Sequence, residues 1–390
     1  MTPETADSPG EPRPGPNVDA PVRVALTVTQ LWHDVPGGSA TSILALARSL
    51  LARSDVRIAG VGAHGRPTVE VPGDLALPVR SVRLPVAALY EAWHRCGGRP
   101  GVDGPTASVL GAIDVVHLTV PMGPPRSSAR LVATVHDLFP LSRPEWFTRR
   151  GVRLMAPALT RICDRADAVV VPSESVAADC RAHGVASARL HVVPWGTDPV
   201  TPPSDGGESV RRRFGLSGDY VLFVGTVEPR KGLPVLADAL GRLNRTDLTL
   251  VVAGPAGWGP DIDGVLAAVP GRVLRTGHLP ETDLVALRAG AAACCVPSWA
   301  EGFGLPALEA LAAGAPLVTS AGTALEEVAG DAAVLVAPGR PDELAEALRS
   351  VLDDADLAAT LRAAGPRRAA TFTWEGAAEA YAAVYSAVLA

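Results

Sequence analysis

The feature that most restricts the fold of this chain is a repeated alternation of short apolar runs with longer stretches of helical periodicity. The short runs are rich in Val, Leu and Ala, as buried strands are, and apolar residues at helical spacing follow most of them. Tight hairpin turns are missing between the runs. Strands joined through helices pair in parallel, and helices cover both faces of a parallel sheet. The pattern therefore predicts an α/β protein.

The apolar runs fall into two groups on either side of a polar segment. Residues 199–209, PVTPPSDGGES, are typical of a linker. Strands are predicted at 22–29, 114–118, 130–137, 167–174 and 189–198, and then at 220–227, 248–254, 272–277, 292–298, 316–320 and 333–338. Helices are predicted at 149–166, 233–243, 282–290, 305–313, 341–353 and 356–370. This organisation predicts two Rossmann-like domains that face a cleft, with ligands bound beyond the carboxyl ends of the strands.

The predicted boundaries divide the chain into four parts. Residues 1–20 contain five prolines and lack the apolar run of a signal peptide, so we expect a disordered leader. An N-terminal domain is predicted over 21–200 and a C-terminal domain over 201–371, and residues 372–390 form a final helix.

A glycine pair follows the first predicted strand. Gly37 and Gly38 are predicted to form a loop, and either Ser39 or Thr41 is suited to cap the helix that comes next. The order is therefore strand, glycine loop and helix.

Charge and cysteine content exclude several classes of protein. The net charge of −6 argues against the basic field that nucleic-acid binding needs. The five cysteines include no C-x-x-C pair, so we expect neither a disulfide framework nor a zinc site, and a reducing cytoplasm fits best. The sequence has no uncharged apolar run of 18 residues, and we predict no transmembrane helix.

The stretch FVGTVEPRKGLPVLADAL places two cations where a helix begins. Arg230 and Lys231 follow a predicted strand, and Pro234 is suited to the first helical turn. The helix dipole disfavours cations at this end unless an anion binds there as well. The motif therefore predicts a phosphate ligand, and a solvated basic turn is the alternative.

The stretch SWAEGFGLPALEALAAG places two acids around a bend. Glu301 follows a predicted strand, Gly302 and Gly304 permit close backbone approach to a ligand, and Glu309 lies on the next helix. An acidic helix start accounts for Glu309 alone, since the dipole favours it by ~0.3–1 kcal/mol. Carboxylates accept hydrogen bonds from hydroxyl pairs, so the motif predicts a sugar or ribose ligand.

Taken together, EPRKG and EGFGLPALE resemble the motifs of retaining nucleotide-sugar glycosyltransferases of the GT-B fold, glycosyltransferase family 4. TVHDLFPL, VVVPSES, VVPWGTD and the terminal FTWEGAAEAYAAVY follow in the family's order, and the resemblance begins near Val22. It implies that the N-terminal domain binds the acceptor and the C-terminal domain binds the nucleotide sugar. It also implies that the helix at 372–390 packs back on the N-terminal domain.

The resemblance implies donor-binding roles for residues of both domains. Arg230 and Lys231 would bind the diphosphate, and Glu309 would bind the ribose. The remaining implied donor contacts lie in glycine-rich segments next to the sugar or the phosphates: Gly302, Phe303, Gly304, Leu305, Gly37 and Gly38.

The resemblance also implies the residues around the reacting carbon. Glu301 would orient the donor sugar, His136 and Asp137 would face the reacting carbon across the cleft, and Ser173 would line the acceptor side. For His136, a core histidine bonded to the backbone is the alternative. No cofactor is expected. No metal is expected either, because Arg230, Lys231 and helix N-termini would stabilise the leaving phosphate, and the D-x-D triplet at 261–263 falls in a predicted surface loop.

The implied reaction transfers a hexose from a nucleoside diphosphate to an acceptor hydroxyl. The stretch GTVEPRKGL resembles the mannosyltransferase branch and favours GDP-mannose, with UDP-hexoses as the alternative; the acceptor is not indicated. Thr226 and Trp195 depart from the family pattern, which commonly has Arg and Asn there. A nucleotide-sugar epimerase of similar fold and a noncatalytic sugar-nucleotide-binding subunit therefore stay open.

A basic segment at 143–165 has two interpretations. Arg149, Arg150 and Arg153 lie on a predicted helix among apolar residues. The segment is either a solvated helix face or a weak peripheral contact with anionic lipid at the inner membrane face, where each cation contributes ~1 kcal/mol.

Overall fold

The structure is a computed structural model of the chain. It describes residues 20–33, 37–147, 149–201, 203–205, 207–257 and 261–390. Residues 1–19 of the predicted leader lie outside the described residues.

The described residues form two successive groups of strands and helices. The first group contains β1 Val22–Thr27, α1 Gly37–Leu51, β2 Val56–Gly62, β3 Val79–Ser81, α2 Val86–Arg95, α3 Asp103–Leu110, β4 Val115–Leu118, β5 Arg130–Thr134, α4 Phe139–Ser142, α5 Arg149–Arg165, β6 Ala168–Val171, α6 Glu174–Ala182 and β7 Leu190–Val192. The second group contains α7 Glu208–Phe214, β8 Tyr220–Val224, α8 Leu233–Leu243, β9 Thr249–Ala253, α9 Ile262–Leu266, β10 Val273–Gly277, α10 Glu281–Ala289, β11 Ala293–Val296, α11 Leu305–Ala312, β12 Leu317–Ser320, α12 Ala324–Ala329, β13 Ala333–Val336, α13 Pro341–Asp353, α14 Ala355–Ala369 and α15 Trp374–Ala387.

Each group builds one parallel sheet, which confirms the predicted α/β class with two Rossmann-like domains. The first sheet has the order β3-β2-β1-β4-β5-β6-β7, and the second has the order β10-β9-β8-β11-β12-β13. The central strands are apolar on both faces, as shown by the complete burial of Val24, Ala25 and Leu26 in β1. In each sheet the strand order reverses beside the first strand of the domain, and ligands bind at such points.

The predicted strands and helices are all present, with shifts at their ends. Most strands end several residues before their predicted ends, whereas β4, β10 and β12 lack only their first predicted residue. Two strands were not predicted: β2 contains Arg57 and two glycines, and β3 is a three-residue edge strand. The predicted loop at Gly37 and Gly38 is wrong, since α1 begins at Gly37. Glycine disfavours helix interiors but is tolerated where a helix begins.

The C-terminal helix α15 belongs to the second group in sequence but packs on α1 of the first domain. The Tyr381 hydroxyl lies 3.0 Å from the Thr134 hydroxyl, and the Tyr385 hydroxyl lies 2.7 Å from Nδ1 of His117. All four side chains are buried. The last helix therefore packs against the first sheet, whose carboxyl edge lines the cleft.

Candidate active site

The first wall of the candidate site follows β8. The chain leaves this strand, makes a single 3-10 turn over Pro229–Lys231 and then starts α8. The turn presents Arg230 and Lys231 at the carboxyl edge of the second sheet. Both side chains are largely buried, with 17% and 11% exposure.

The neighbouring strand β11 supplies the second wall. Glu301 follows this strand and is buried, and Gly304 begins the turn into α11 with a φ of 109°. That φ lies in the left-handed region, where glycine is tolerated and other residues are strained. Pro306 occupies the first turn of α11, where its missing N–H costs nothing.

Glu301, which follows β11, forms a buried ion-pair cluster with the two cations that follow β8. Lys231 Nζ lies 2.7 Å from Oε1, and Arg230 Nη1 lies 2.6 Å from Oε2. The Ser298 hydroxyl donates to Oε1 at 2.7 Å, and a second carboxylate, Glu228, lies 2.8 Å from Arg230 Nη2. The structure thus brings three of the predicted site residues together and adds two that the motifs did not single out.

The cluster sets the charge state of its members. Burial alone would raise the pKa of Glu301, but Arg230 and Lys231 outweigh it and hold that pKa at about 2. Burial lowers the pKa of Lys231, and the neighbouring Arg230 charge lowers it further. Glu301 is therefore an ionised carboxylate with both oxygens engaged, and such a carboxylate is a weak nucleophile.

Glu309 lies apart from the cluster, and its hydrogen bond goes to a different cation. Arg288, on α10, donates to Oε2 of Glu309 and also to Oε1 of Glu281, the latter at 2.6 Å. Arg288 is 2% exposed, whereas the Glu309 side chain is 24% exposed. The sequence prediction did not include Arg288, because in the sequence it resembles an ordinary surface cation in the last turn of a helix.

The opposite wall follows β5 in the first domain. His136 Nε2 lies 2.6 Å from the Thr119 carbonyl oxygen, which can only accept, so Nε2 carries the proton. Nδ1 is then an acceptor, and it is buried with no hydrogen-bond partner among the described residues. Burial lowers the pKa of His136 to about 4, so the ring is neutral at neutral pH. Its imidazole is thus held by the backbone on one side and free to accept on the other.

Aromatic rings connect His136 to the second domain. The His136 ring lies 5.1 Å from the Trp195 ring, which lies 5.6 Å from Phe303, which in turn lies 5.8 Å from Phe372. The Trp195 ring, where the family pattern has Asn, therefore fills the space between His136 of the first domain and Phe303 of the second.

Asp137 faces the ion-pair cluster. Burial raises its pKa, the charge of Arg230 opposes that rise, and the charges of Glu301 and Glu228 add to it. Asp137 Oδ1 accepts from the backbone N–H of Phe139 at 3.2 Å. The cluster of second-domain charges therefore acts on a first-domain acid across the cleft.

The segment that follows β11 in the second domain touches the segment that follows β5 in the first domain, and the contact is at Gly302. A Cβ at this position would lie 2.0 Å from the carbonyl oxygen of His136, so no larger residue fits without movement. The carbonyl of Gly302 accepts from the Ser173 hydroxyl at 2.7 Å, and the same Oγ accepts from Val176 N as the N-cap of α6. Ser173 is buried in this interdomain contact; its acceptor-side role stays a prediction.

Gly38 of the first domain lies next to the start of α11 in the second domain. A Cβ on Gly38 would lie 3.4 Å from the Leu305 side chain, so the starts of α1 and α11 lie next to each other. The first backbone N–H groups of a helix are suited to an anion. Gly38 and Leu305 thus lie next to each other at the interdomain cleft, whereas a Cβ on Gly37 would have no neighbour within 4 Å.

The D-x-D triplet has a structural explanation. Asp261 caps α9 by accepting from Asp263 N, and Asp263 pairs with Arg275 at 2.6 Å. Across the part of the chain that the structure describes, no group of three or more His, Cys, Asp or Glu residues is arranged to hold a metal ion.

Comparison with known proteins identifies the family. The model described as Glycosyltransferase Family 4 matches residues 36–201, and the model described as Glycosyl transferases group 1 matches residues 218–354. The O-antigen chain mannosyltransferase B of Escherichia coli is 30% identical over 261 residues, which are 64% of this chain and 68% of that protein. The chain belongs to glycosyltransferase family 4.

Solved structures agree with the fold of this family 4 member. The sucrose-phosphate synthase of Thermosynechococcus elongatus matches with a TM-score of 0.75 at 22% identity, over 94% of this chain and 98% of that chain. HepE of Anabaena, solved in complex with UDP-glucose, matches with a TM-score of 0.72 at 17% identity, over 94% of this chain and 99% of that chain. The two sheets thus have the GT-B arrangement that the motifs predicted.

Among the described helices of this family 4 member, none is both long enough and apolar enough to cross a membrane. The basic segment forms α5, which carries Arg149 and Arg153; the side chain of Arg150 lies outside the described part of the structure.

Proposed function

We propose that this protein transfers a hexose, with retention of anomeric configuration, from a nucleoside diphosphate to an acceptor hydroxyl. The observation that carries the proposal is the buried Arg230–Lys231–Glu301 cluster, which lies against the His136–Asp137 segment of the other domain. Family membership supports transfer, and the name of the Escherichia coli relative supports mannose as the hexose.

The chemical difficulty of this reaction is charge on the leaving group. As the bond between sugar and diphosphate breaks, negative charge grows on the phosphate oxygen, and preorganised donors there lower the barrier. Arg230 and Lys231 are such donors, with the first turns of α1 and α11 close by. These residues supply the positive charge themselves, so the proposed reaction is metal-independent and uses no cofactor.

Binding of the donor has to change the ion-pair cluster. Two carboxylates, Glu228 and Glu301, neutralise Arg230 and Lys231 in the structure. A diphosphate that approaches these cations competes with Glu301 for them. Once released from one cation, Glu301 is free to accept hydrogen bonds from sugar hydroxyls, which is the orienting role proposed for it.

Retention follows if the leaving phosphate acts as the base. Glu301 is held by cations and is a poor nucleophile, so a covalent intermediate on this residue is disfavoured. The departing phosphate oxygen instead takes the proton of the acceptor hydroxyl on the face that it leaves. The neutral His136 imidazole, with Nδ1 open, accepts a hydrogen bond from a sugar hydroxyl, and Asp137 faces the reacting carbon.

The identity of the donor is tested with a thermal-shift screen. GDP-mannose is the preferred candidate, and UDP-glucose is the principal alternative because HepE was solved with it. The expected result is a concentration-dependent rise in melting temperature with one sugar nucleotide, as mass action requires for a ligand of the folded state. No stabilisation by any sugar nucleotide would overturn the proposal.

Turnover assays separate transfer from its rivals. A transferase releases nucleoside diphosphate only when an acceptor hydroxyl is present, apart from slow hydrolysis. A nucleotide-sugar epimerase converts the donor without an acceptor hydroxyl, either to the epimeric nucleotide sugar or, with water, to free sugar and nucleoside diphosphate. A noncatalytic subunit binds donor without turnover. Lys231→Ala serves as the matched inactive variant in each assay.

The location of the protein forms a separate part of the proposal. We propose a cytoplasmic enzyme whose α5 makes weak contact with anionic lipid through Arg149, Arg150 and Arg153. Flotation with vesicles of phosphatidylcholine, with and without phosphatidylglycerol, tests the contact. Binding that needs the anionic lipid and is lost at high salt supports it, because such attraction is screened.

A further inference from the structure

Arg288 is a buried cation outside the ion-pair cluster. It lies in the last turn of α10, and its side chain is 2% exposed. Its two terminal nitrogens are bonded to Glu281 and Glu309, and Nε has no hydrogen-bond partner among the described residues. The guanidinium therefore bridges two acids while one of its donors is left unsatisfied.

Stability alone does not explain this arrangement. Removing a charge from water carries a large penalty, which an ion pair offsets only with good geometry and further hydrogen bonds. Glu281 is 63% exposed and could be paired by an arginine that stays in solvent. The contact that requires the guanidinium to lie in the interior is the one to Glu309, on the neighbouring helix.

The surroundings of Glu309 act against its charge. Burial raises its pKa, and the charges of Glu281 and Asp198 act in the same direction, whereas Arg288 opposes the rise. Arg288 engages Oε2, and Oε1 has no hydrogen-bond partner among the described residues. Because the side chain is 24% exposed, a ligand hydroxyl can reach the carboxylate.

We propose that Arg288 is a positioning residue that holds the Glu309 carboxylate ionised and in one orientation, so that it can accept hydrogen bonds from the vicinal hydroxyls of the donor ribose. The inference rests on the proposed function, in which Glu309 binds the ribose. Arg288 does not touch the donor; it acts through Glu309. It thereby makes the site selective for ribonucleotides over nucleotides that lack these hydroxyls.

A site built around a hydroxyl pair rejects a ligand without it, because Oε1 of the half-buried Glu309 carboxylate is then left without a hydrogen-bond donor. The probe is therefore the ratio of affinities for GDP and 2′,3′-dideoxy-GDP, measured by calorimetry, with UDP and its dideoxy form as a second pair. For the wild-type protein we expect the ribose form to bind ~10- to 100-fold more tightly.

Two variants test the role of Arg288. In Arg288→Met we expect the ribose form to lose most of that advantage, so that the ratio falls to within about threefold of one, as in Glu309→Gln. The double variant should show no further fall, because both changes remove the same interaction. A general loss of packing would weaken both nucleotides alike and leave the ratio unchanged.

Controls keep the test decisive if Arg288→Met does not fold. Arg288→Lys retains the buried charge but cannot bridge two acids with a planar fork, so its ratio should lie between those of wild type and Glu309→Gln. Glu281→Gln removes the exposed acid of the bridge and should keep the wild-type ratio. Circular dichroism establishes that each variant is folded before it is measured.

The outcomes distinguish this inference from the proposed function. If Glu309→Gln abolishes the preference for ribose but Arg288→Met and Arg288→Lys both keep it, Arg288 has no positioning role and the donor-binding proposal stands. If wild type binds nucleoside diphosphates without preference for ribose, the role of Glu309 is wrong and this inference fails with it. If wild type binds neither nucleotide, the proposed function itself is overturned.

Discussion

Oε1 of Glu327 lies 2.7 Å from the backbone nitrogen of Ser175, although the two residues belong to different domains. Oε2 of the same carboxylate accepts from Glu174 N at 2.8 Å, so Glu327 binds the first N–H groups of α6. These groups have no partner within their own helix. A carboxylate at a helix N-terminus is favourable. Here the Glu327 carboxylate joins the two domains beside the Ser173–Gly302 contact.

Loss of the Glu327 contact should loosen the closed arrangement of the domains. Because Glu327 is exposed, we expect Glu327→Gln to cost only about 0.5–1 kcal/mol of closure, which corresponds to a roughly 2- to 5-fold rise in the KM for donor with little change in kcat. Small-angle scattering should show a larger radius of gyration without donor. The neighbouring Glu326→Gln is the control, because Glu326 accepts from Gly322 within its own domain. Equal effects of both substitutions would contradict the interdomain role.

Lys231→Ala should abolish most of the transfer activity while the protein stays folded. Glu301 would still be paired with Arg230 and Ser298, so the cluster is not left with an unpaired acid. Removing a buried charge partner of the diphosphate costs ~2–5 kcal/mol, a roughly 30- to 4,000-fold loss of kcat/KM. Lys231→Arg should recover part of it, because the charge is kept. A folded Lys231→Ala protein with full transfer would exclude the assigned role.

The fold was predictable because the sequence repeats one local pattern. The site motifs lie far apart in sequence, with Lys231 and Glu301 separated by 70 positions, yet β8 and β11 are adjacent strands. Since ligand-binding residues gather at the carboxyl ends of parallel strands, the motifs alone indicated that these residues meet. The same rule placed His136 and Asp137 at the carboxyl edge of the first sheet, across the cleft.

The partner of each acid could not be predicted in the same way. Arg288 lies in the last turn of a helix, where a cation is favourable at the surface, and spacing does not reveal that its side chain points inward. Glu327 likewise resembles a solvated helical acid. Arg288 on α10 reaches Glu309 on α11, and α6 packs on α12; the three-dimensional fold decides both contacts.

Trp195→Asn, which introduces the residue common in the family, should destabilise this particular protein. Trp195 is 8% exposed and its ring lies between those of His136 and Phe303. Replacing a buried aromatic ring by a small side chain costs ~3–5 kcal/mol, since a cavity is left behind. Trp195→Phe should cost clearly less, because part of the contact is kept. Urea unfolding of both variants measures the difference, and equal stability of Trp195→Asn and wild type would show that the ring is not needed.

Buried His117 and half-buried His136 predict a loss of stability on mild acidification. Burial lowers the pKa of His136 to about 4 and that of His117 to about 3, whereas a histidine in the unfolded chain titrates near 6.5. Between these values the unfolded chain binds protons that the folded protein does not, so the free energy of unfolding falls as the pH drops below about 6.5. Each unit of difference corresponds to ~1.4 kcal/mol, and the loss from each histidine ends near its folded pKa.

Substitution isolates the contribution of the histidines from that of buried acids. Asp137 and Glu309, whose pKa values burial raises, act in the opposite direction, because the folded protein then holds protons that the unfolded chain has released. The informative quantity is therefore the change in slope: His117→Gln should reduce the fall in the free energy of unfolding between about pH 7 and about pH 5, measured by urea titration. Identical slopes for wild type and His117→Gln would mean that His117 is not buried in its neutral form. The contact between Tyr385 on α15 and His117 in the first sheet would then be wrong.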